Sequence, residues 1–186
     1  LFHWLRKEPA LQAHLPETMP YSREALLEMA AKHSQLYLKP AEGKAGTNMM
    51  LLRKTHDGFQ LIHQGLNKRR KRFFRHLSEI HQYMLKQPRT YLVQQAIDLA
   101  TYRGRPYDLR VLVQKDGSGS WRTSGVGARL AGKKAITTHV PQGGKIAHPR
   151  QLLEQSFGKA KAAQILHETQ KMAIALAKLS EEDPTF

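Results

Sequence analysis

The segment Leu36-Tyr37-Leu38-Lys39-Pro40-Ala41-Glu42-Gly43-Lys44-Ala45-Gly46-Thr47-Asn48-Met49-Met50-Leu51-Leu52 constrains this chain more than any other. A short apolar run ends in Lys39. A loop with two glycines and a second lysine, Lys44, follows, and then another apolar run. The pattern is two strands joined by a flexible basic loop. Without a Cβ, Gly43 and Gly46 let backbone amides approach an anion closely, and lysine adds a mobile positive charge. Strand, loop and strand together have the geometry to fold backbone over a polyphosphate.

The rest of the chain alternates helical and extended patterns. Residues 2–14 are only loosely helical, and residues 15–20, with two prolines, read as a stiff connector. Ser22 is placed to cap a helix with Leu26, Leu27, Met29 and Ala30 on its apolar side. Residues 49–53 and 59–63 make a hairpin across His56-Asp57-Gly58, because Asp-Gly tolerates positive φ. Phe73, Leu77, Ile80 and Met84 predict one long helix over residues 67–86, stopped by Pro88. Residues 91–97, 107–115 and 121–130 read as strands, and the glycines of the last suggest bulges or close backbone approach. Val140-Pro141-Gln142-Gly143-Gly144 is a loop, and helices over 149–157 and 159–179 follow. The second of these carries Ala163, Leu166, Gln170, Ala173 and Leu176 as a packing face. Helices with antiparallel hairpins give the α+β class, and 186 residues suit one compact domain or two small lobes.

Charge narrows the choice of partner. The chain has 30 Lys+Arg against 15 Asp+Glu, a formal net charge of +15, which favours anionic partners. The absence of cysteine excludes disulfides and thiolate metal sites and fits a reducing interior. No apolar run approaches the ~18 residues of a membrane span. His3, Arg6, Lys7 and Glu8 interrupt any apolar core of a signal peptide, so a cytoplasmic protein without a membrane partner is expected.

A basic run, Lys68, Arg69, Arg70, Lys71, Arg72 and Arg75, is interleaved with Phe73 and Phe74. Two readings fit it. It is a patch for nucleic acid or another polyanion, with cations tracking phosphates and rings stacking on bases. Or it is the solvated face of a helix whose Phe73 points to the core. The ten histidines are scattered, and His76 and His81 are five apart rather than the four of a zinc helix, so they read as ordinary surface or core residues.

In Tyr107-Asp108-Leu109-Arg110-Val111-Leu112-Val113, alternation puts Asp108 and Arg110 on one face. They are either an exposed ion pair of little energetic weight or a holder for a sugar hydroxyl and a phosphate. Absent a bulge, Trp121 and Arg129 share a face of the next strand. Arg110 and Arg129 then either converge, their planar forks grasping a phosphate or carboxylate, or stand solvated.

Read in order, Tyr37-Leu38-Lys39-Pro40 with Gly43 and Gly46, then Val93-Gln94-Gln95-Ala96-Ile97, then residues 107–115, then Trp121, Gly125, Ala128-Arg129 and Gly143-Gly144 resemble an ATP-grasp domain. Within that family they resemble the YheC/YheD-like, endospore coat-associated branch, whose opening is similar to Leu15-Pro16-Glu17-Thr18. The resemblance implies a lobe over 1–89 and a second over 90–186. It implies that Lys39 contacts nucleotide phosphates under a lid formed by Gly43, Lys44 and Gly46. Gln94, Gln95 and Ile97 would form the hinge for adenine, and Asp108 would meet the ribose hydroxyls. Arg110 and Arg129 would be catalytic, facing the γ-phosphate or an acyl phosphate, and Lys39, Arg110 and Arg129 would meet around one triphosphate. His139, Gly143 and Gly144 would form a substrate loop.

The implied activity is ATP- and magnesium-dependent ligation of a carboxylate to an amine, with preorganised cations stabilising the moving charge. Family members hold magnesium on a late acidic strand. This chain ends near where that strand begins, so the metal ligands are expected beyond its C-terminus and a second phosphate-binding lysine before its first residue. His139 stands where an asparagine is usual. The chain therefore reads as an ATP-grasp module cut at both ends and not expected to turn ATP over alone. The alternatives are a non-catalytic module binding a polyanion through residues 68–75, or a structural coat protein that keeps the fold, with the spore coat as a second location.

Overall fold

Apolar residues at alternate positions, Leu36 and Leu38, then Met50 and Leu52, then Tyr91 and Val93, give three neighbouring strands one common dry face. Two helices cover that face. The computed structural model describes residues 9–42, 47–65, 69–133 and 135–181. It divides into two compact units between Asp98 and Leu99.

The first unit contains α1 (Pro9–Gln12), β1 (Thr18–Pro20), α2 (Arg23–Lys32), β2 (Gln35–Pro40), β3 (Met49–Thr55), β4 (Gly58–Gln64), β5 (Arg69–Phe74), α3 (Leu77–Leu85) and β6 (Tyr91–Gln95). Its six strands form one antiparallel sheet in the order β1-β6-β2-β3-β4-β5. Ser22 caps α2 as expected, its Oγ accepting the Ala25 amide at 3.0 Å. Ala25, Leu26, Met29 and Ala30 of α2 and Ile80 and Met84 of α3 bury against the sheet. Leu27, expected on the apolar side, is exposed, because the buried stripe runs one position earlier, through Ala25. The two-residue turn His56-Asp57 joins β3 to β4, with Thr55 opposite Gly58.

The long helix expected over 67–86 is not formed. Arg69–Phe74 is instead an edge strand paired with β4, and the helix begins at Leu77. The helical spacing of Leu77, Ile80 and Met84 is real, but Phe73 lies outside it and is 53% exposed rather than in the core. Phe74 packs on the core in its place. The Glu79 carboxylate accepts the Arg75 and His76 amides at 2.8 and 3.3 Å, which sets the helix start. Residues 15–20 are likewise not all connector: β1 pairs with β6. β6 itself, assigned from sequence to the later lobe, pairs with β1 and β2 in this sheet and ends at Gln95.

The second unit contains β7 (Thr101–Tyr102), β8 (Arg105–Lys115), β9 (Trp121–Leu130), a 3-10 turn (Val140–Gln142), β10 (Lys145–Ala147), α4 (Pro149–Phe157) and α5 (Lys159–Glu181). Its strands form an antiparallel sheet in the order β10-β9-β8-β7. Tyr107, Ala128 and Leu130 on one face pack with Leu152, Leu153 and Ala162 from the helices. On α5 the expected face holds at Leu166, Gln170, Ala173 and Leu176, which are partly buried, while Ala163 is exposed and Ala162 and Ala177 are buried beside them.

Val113 pairs with Thr123 while Leu112 pairs with Gly125, so Ser124 is an extra residue in β9. This bulge inverts the alternation. Trp121 therefore stands on the face of Tyr107 and Leu109, and Arg129 on the face of Asp108, which corrects the expectation that Trp121 and Arg129 share a side.

Candidate functional site

On the first sheet the face away from the helices carries a polar row. Register puts Gln94 between Tyr37 on β2 and Thr18 on β1, with Lys39 two residues along from Tyr37. The Lys39 ammonium donates to Gln94 Oε1. Gln94 Nε2 donates to Thr18 Oγ1 at 2.6 Å, and Thr18 Oγ1 donates to the Pro16 carbonyl at 2.9 Å. The amide of Gln94 is thus oriented from both ends. Lys39 also lies 5.5 Å from the centre of the Tyr37 ring. Burial holds the Lys39 ammonium below its ordinary pKa, the expected effect of desolvating a cation.

The expected nucleotide set is only partly gathered here. Lys39 and Gln94 are in contact. Gln95 falls on the opposite alternation, paired with Leu36, and its Oε1 accepts the Glu17 amide at 3.3 Å. Ile97 lies past the end of the strand and is 53% exposed. Gly43, Lys44 and Gly46 lie outside the described residues, as does Lys68. Arg69, Arg70, Lys71 and Arg72 sit on edge strand β5, and Arg75 in the turn after it.

On the second sheet Asp108 and Arg129 are direct cross-strand partners. Arg129 Nε donates to Asp108 Oδ1 at 3.0 Å and Nη2 to Oδ2 at 2.6 Å, a two-point fork. Arg110 Nη2 donates to the same Oδ2 at 3.2 Å. The two guanidinium groups therefore do converge, with one carboxylate between them. Arg129 and Asp108 are 18% and 24% exposed, whereas Arg110 is 57% exposed and open to a ligand.

A fourth member was not foreseen. Thr138 Oγ1 donates to Asp108 Oδ2 at 2.9 Å and accepts from Arg129 Nη2 at 3.1 Å. The expected substrate loop is what places it. Gln142 N and Gly144 N both donate to the His139 carbonyl, at 3.0 and 3.2 Å, and Gly143 takes a left-handed conformation with φ 84°. A Cβ on Gly144 would sit 2.4 Å from the Thr138 carbonyl, so only glycine lets the loop close this tightly. His139, Gly143 and Gly144 thus shape the backbone beside Thr138.

Above the sheet the space next to Arg110 is open. Its cross-strand partner is Gly127 and that of Leu112 is Gly125, and a Cβ at either glycine would meet nothing within 4 Å. A cavity of about 630 Å³ lies elsewhere in this unit, where Trp121, Arg122, Ile174 and Lys178 come together at the β8–β9 turn. Among the described residues no group of three or more His, Asp or Glu side chains is placed to hold a metal, and the Asp108 carboxylate is occupied by two guanidinium groups. The donor set around Asp108 therefore does not fit magnesium. Among the described residues no helix is long and apolar enough to cross a membrane.

The profile of a family described as YheC/D like ATP-grasp matches residues 1–184. The chain belongs to the YheC/D-like ATP-grasp family. It is thereby an ATP-grasp domain, of an ATP-binding class. Endospore coat-associated protein YheD of Bacillus subtilis (strain 168) is 29% identical over 151 residues, 76% of this chain and 32% of that protein. Endospore coat-associated protein YheC of the same organism is 26% identical over 145 residues, 77% of this chain and 40% of that protein. The ATP-grasp chain described here thus spans 32% to 40% of the length of these relatives. No solved structure gives a significant match.

Proposed function

We propose that this ATP-grasp chain is the nucleotide-binding part of an ATP-dependent carboxylate–amine ligase. The observation that carries the reading is the pair of guanidinium groups, Arg110 and Arg129, drawn to the single carboxylate of Asp108 on one sheet face. Two cations against one anion, Arg129 held by its fork and Arg110 exposed beside it, leave a net positive centre, the requirement for stabilising a transferred phosphoryl group. In the proposed reaction a substrate carboxylate oxygen attacks the γ-phosphorus of ATP, and the bond to the β-phosphate oxygen breaks with ADP leaving. An amine then attacks the acyl carbon, phosphate departs with the bonding pair, and the amine proton passes to water. Arg110 and Arg129 carry the charge stabilisation in both steps.

Lys39 takes nucleotide phosphate in this proposal, with Gln94 as its anchor between ligands. Asp108 organises the guanidinium groups rather than binding ribose. Its Oδ2 already accepts from Arg129, Arg110 and Thr138, and its Oδ1 from Arg129, which leaves little capacity for a sugar hydroxyl. Family membership supports the ATP part of the reading, and the names of the two relatives support a setting at the endospore coat.

The test is thermal unfolding with ATP and with sulfate at equal ionic strength. ATP is expected to raise Tm more than sulfate, and Lys39→Ala to remove the excess. Equal shifts would replace this reading with simple anion binding.

A further inference from the structure

The first sheet ends on β5, whose residues Arg69-Arg70-Lys71-Arg72-Phe73-Phe74 open with four consecutive cations. Among the described residues β4 is its one strand neighbour, so its outer edge carries backbone donors and acceptors without a ladder partner. We propose that this edge is a docking strand for an extended acidic polypeptide segment, which joins the sheet beside β5.

Alternation splits the cations into two rows. Arg70 and Arg72 share the face of His63 and Leu61, and Lys71 shares the opposite face with Ile62. Cations two residues apart on one strand are about 6.7 Å apart, the repeat of any strand laid beside it. An added strand presents its own alternate side chains to both faces at once, so acidic side chains on it meet both rows across the edge. A nucleic-acid backbone lying on one face reaches one row only.

Charge weighs against the simplest competitor. A second copy of β5 paired antiparallel over its full length would set Lys71 against Arg72 at its centre, which opposes pairing. The cations are also not neutralised from within. Arg70, Lys71 and Arg72 are exposed and make no ion pair among the described residues. The Arg72 guanidinium lies 5.3 Å from the centre of the Tyr83 ring, a contact that leaves its charge intact.

The probe is a fluorescein-labelled Glu-Glu-Val-Val-Glu-Glu peptide, of the length of β5 and with glutamates on both faces of a strand, followed by anisotropy. Two further peptides of the same sequence are N-methylated at alternate residues, one in each register, which keeps the charge and removes one set of backbone donors. Oligothymidylate of equal charge is the nucleic-acid arm. The unmodified peptide is expected to bind, and at least one methylated register to bind about tenfold more weakly. The Arg70→Glu, Arg72→Glu double variant is expected to lose peptide binding while its Tm shift with ATP stays that of the parent. No effect of methylation in either register would overturn the proposal in favour of unspecific charge attraction. Tighter binding of oligothymidylate than of peptide would overturn it in favour of a nucleic-acid surface.

Discussion

Arg129 and Asp108 stand directly opposite each other on β9 and β8, and the guanidinium takes both carboxylate oxygens, at 3.0 and 2.6 Å. The pair is largely shielded from water, so it differs in kind from the neighbouring contact of Arg110, which is a single 3.2 Å bond at an exposed side chain. Removing the carboxylate charge by Asp108→Asn should destabilise the protein by about 1–3 kcal/mol, because the Arg129 fork keeps a weaker acceptor. Arg110→Ala should cost at most about 0.5 kcal/mol, the scale of an exposed pair, and still reduce the stabilisation given by ATP. Urea denaturation of both variants, with and without ATP, separates these effects. An Asp108→Asn variant as stable as its parent but deaf to ATP would return Asp108 to the role of a ribose ligand.

Lys39 leads to a prediction about pH. Desolvation places its folded pKa below 10.5, so between the two values the unfolded chain binds more protons than the folded one. The destabilising contribution of Lys39 is therefore fully present at lower pH and fades as pH rises through that window. A phosphate beside the ammonium favours the charged form, so nucleotide binding should take up protons there. The ATP-induced rise in Tm is expected to be largest at neutral pH and to shrink as pH approaches 10.5. In Lys39→Met this shrinkage should vanish. A shift with ATP that ignores pH in the parent would remove Lys39 from the phosphate contacts.

Two glycines of the second unit should respond in opposite ways. Gly127 faces open space opposite Arg110, so Gly127→Val should fold as well as the parent or gain up to about 1 kcal/mol from better strand propensity. Its side chain would fill the approach to Arg110 and weaken ATP stabilisation. Gly144→Ala should destabilise by about 1–3 kcal/mol, because its Cβ would sit 2.4 Å from the Thr138 carbonyl and 2.8 Å from that of His139. Thermal melts with and without ATP read both. Loss of fold in Gly127→Val would contradict the open face.

What the sequence made legible follows from where each signal resides. The bounds of β9 and α4 were readable because turns punctuate them and one side of each is dry. The convergence of Arg110 and Arg129 was an open alternative that strand alternation suggested and register decided. β5 was misread as helix because an edge strand wet on both faces has no hydrophobic period of two, while the helix after it lends its spacing backwards. The three-residue strands β1 and β10 exist only through pairing with distant partners. Thr138 was missed for the same reason: its bond to Asp108 spans 30 residues, and nothing local to Thr137-Thr138-His139 announces it.

The bulge in β9 offers a direct check on how face assignment is stored in the chain. Ser124 is the residue without a partner, since Val113 meets Thr123 and Leu112 meets Gly125. Deleting Ser124 leaves every remaining pair in register, so Trp121 stays opposite Lys115 and Arg129 opposite Asp108. The cost should be small, about 1 kcal/mol from lost local twist. Deleting Val126 instead lets Ser124 drop in opposite Leu112 and Gly125 opposite Val111, so the same outer pairs persist and Ala128 and Leu130 stay in the core. That change should again be tolerated, at about 1–2 kcal/mol for the lost Val126 side chain. In a Trp4→Phe background Trp121 is the one indole, and its emission together with circular-dichroism melts would report both outcomes. Unfolding by either deletion would mean that Ser124 is not an inserted residue but part of the ladder.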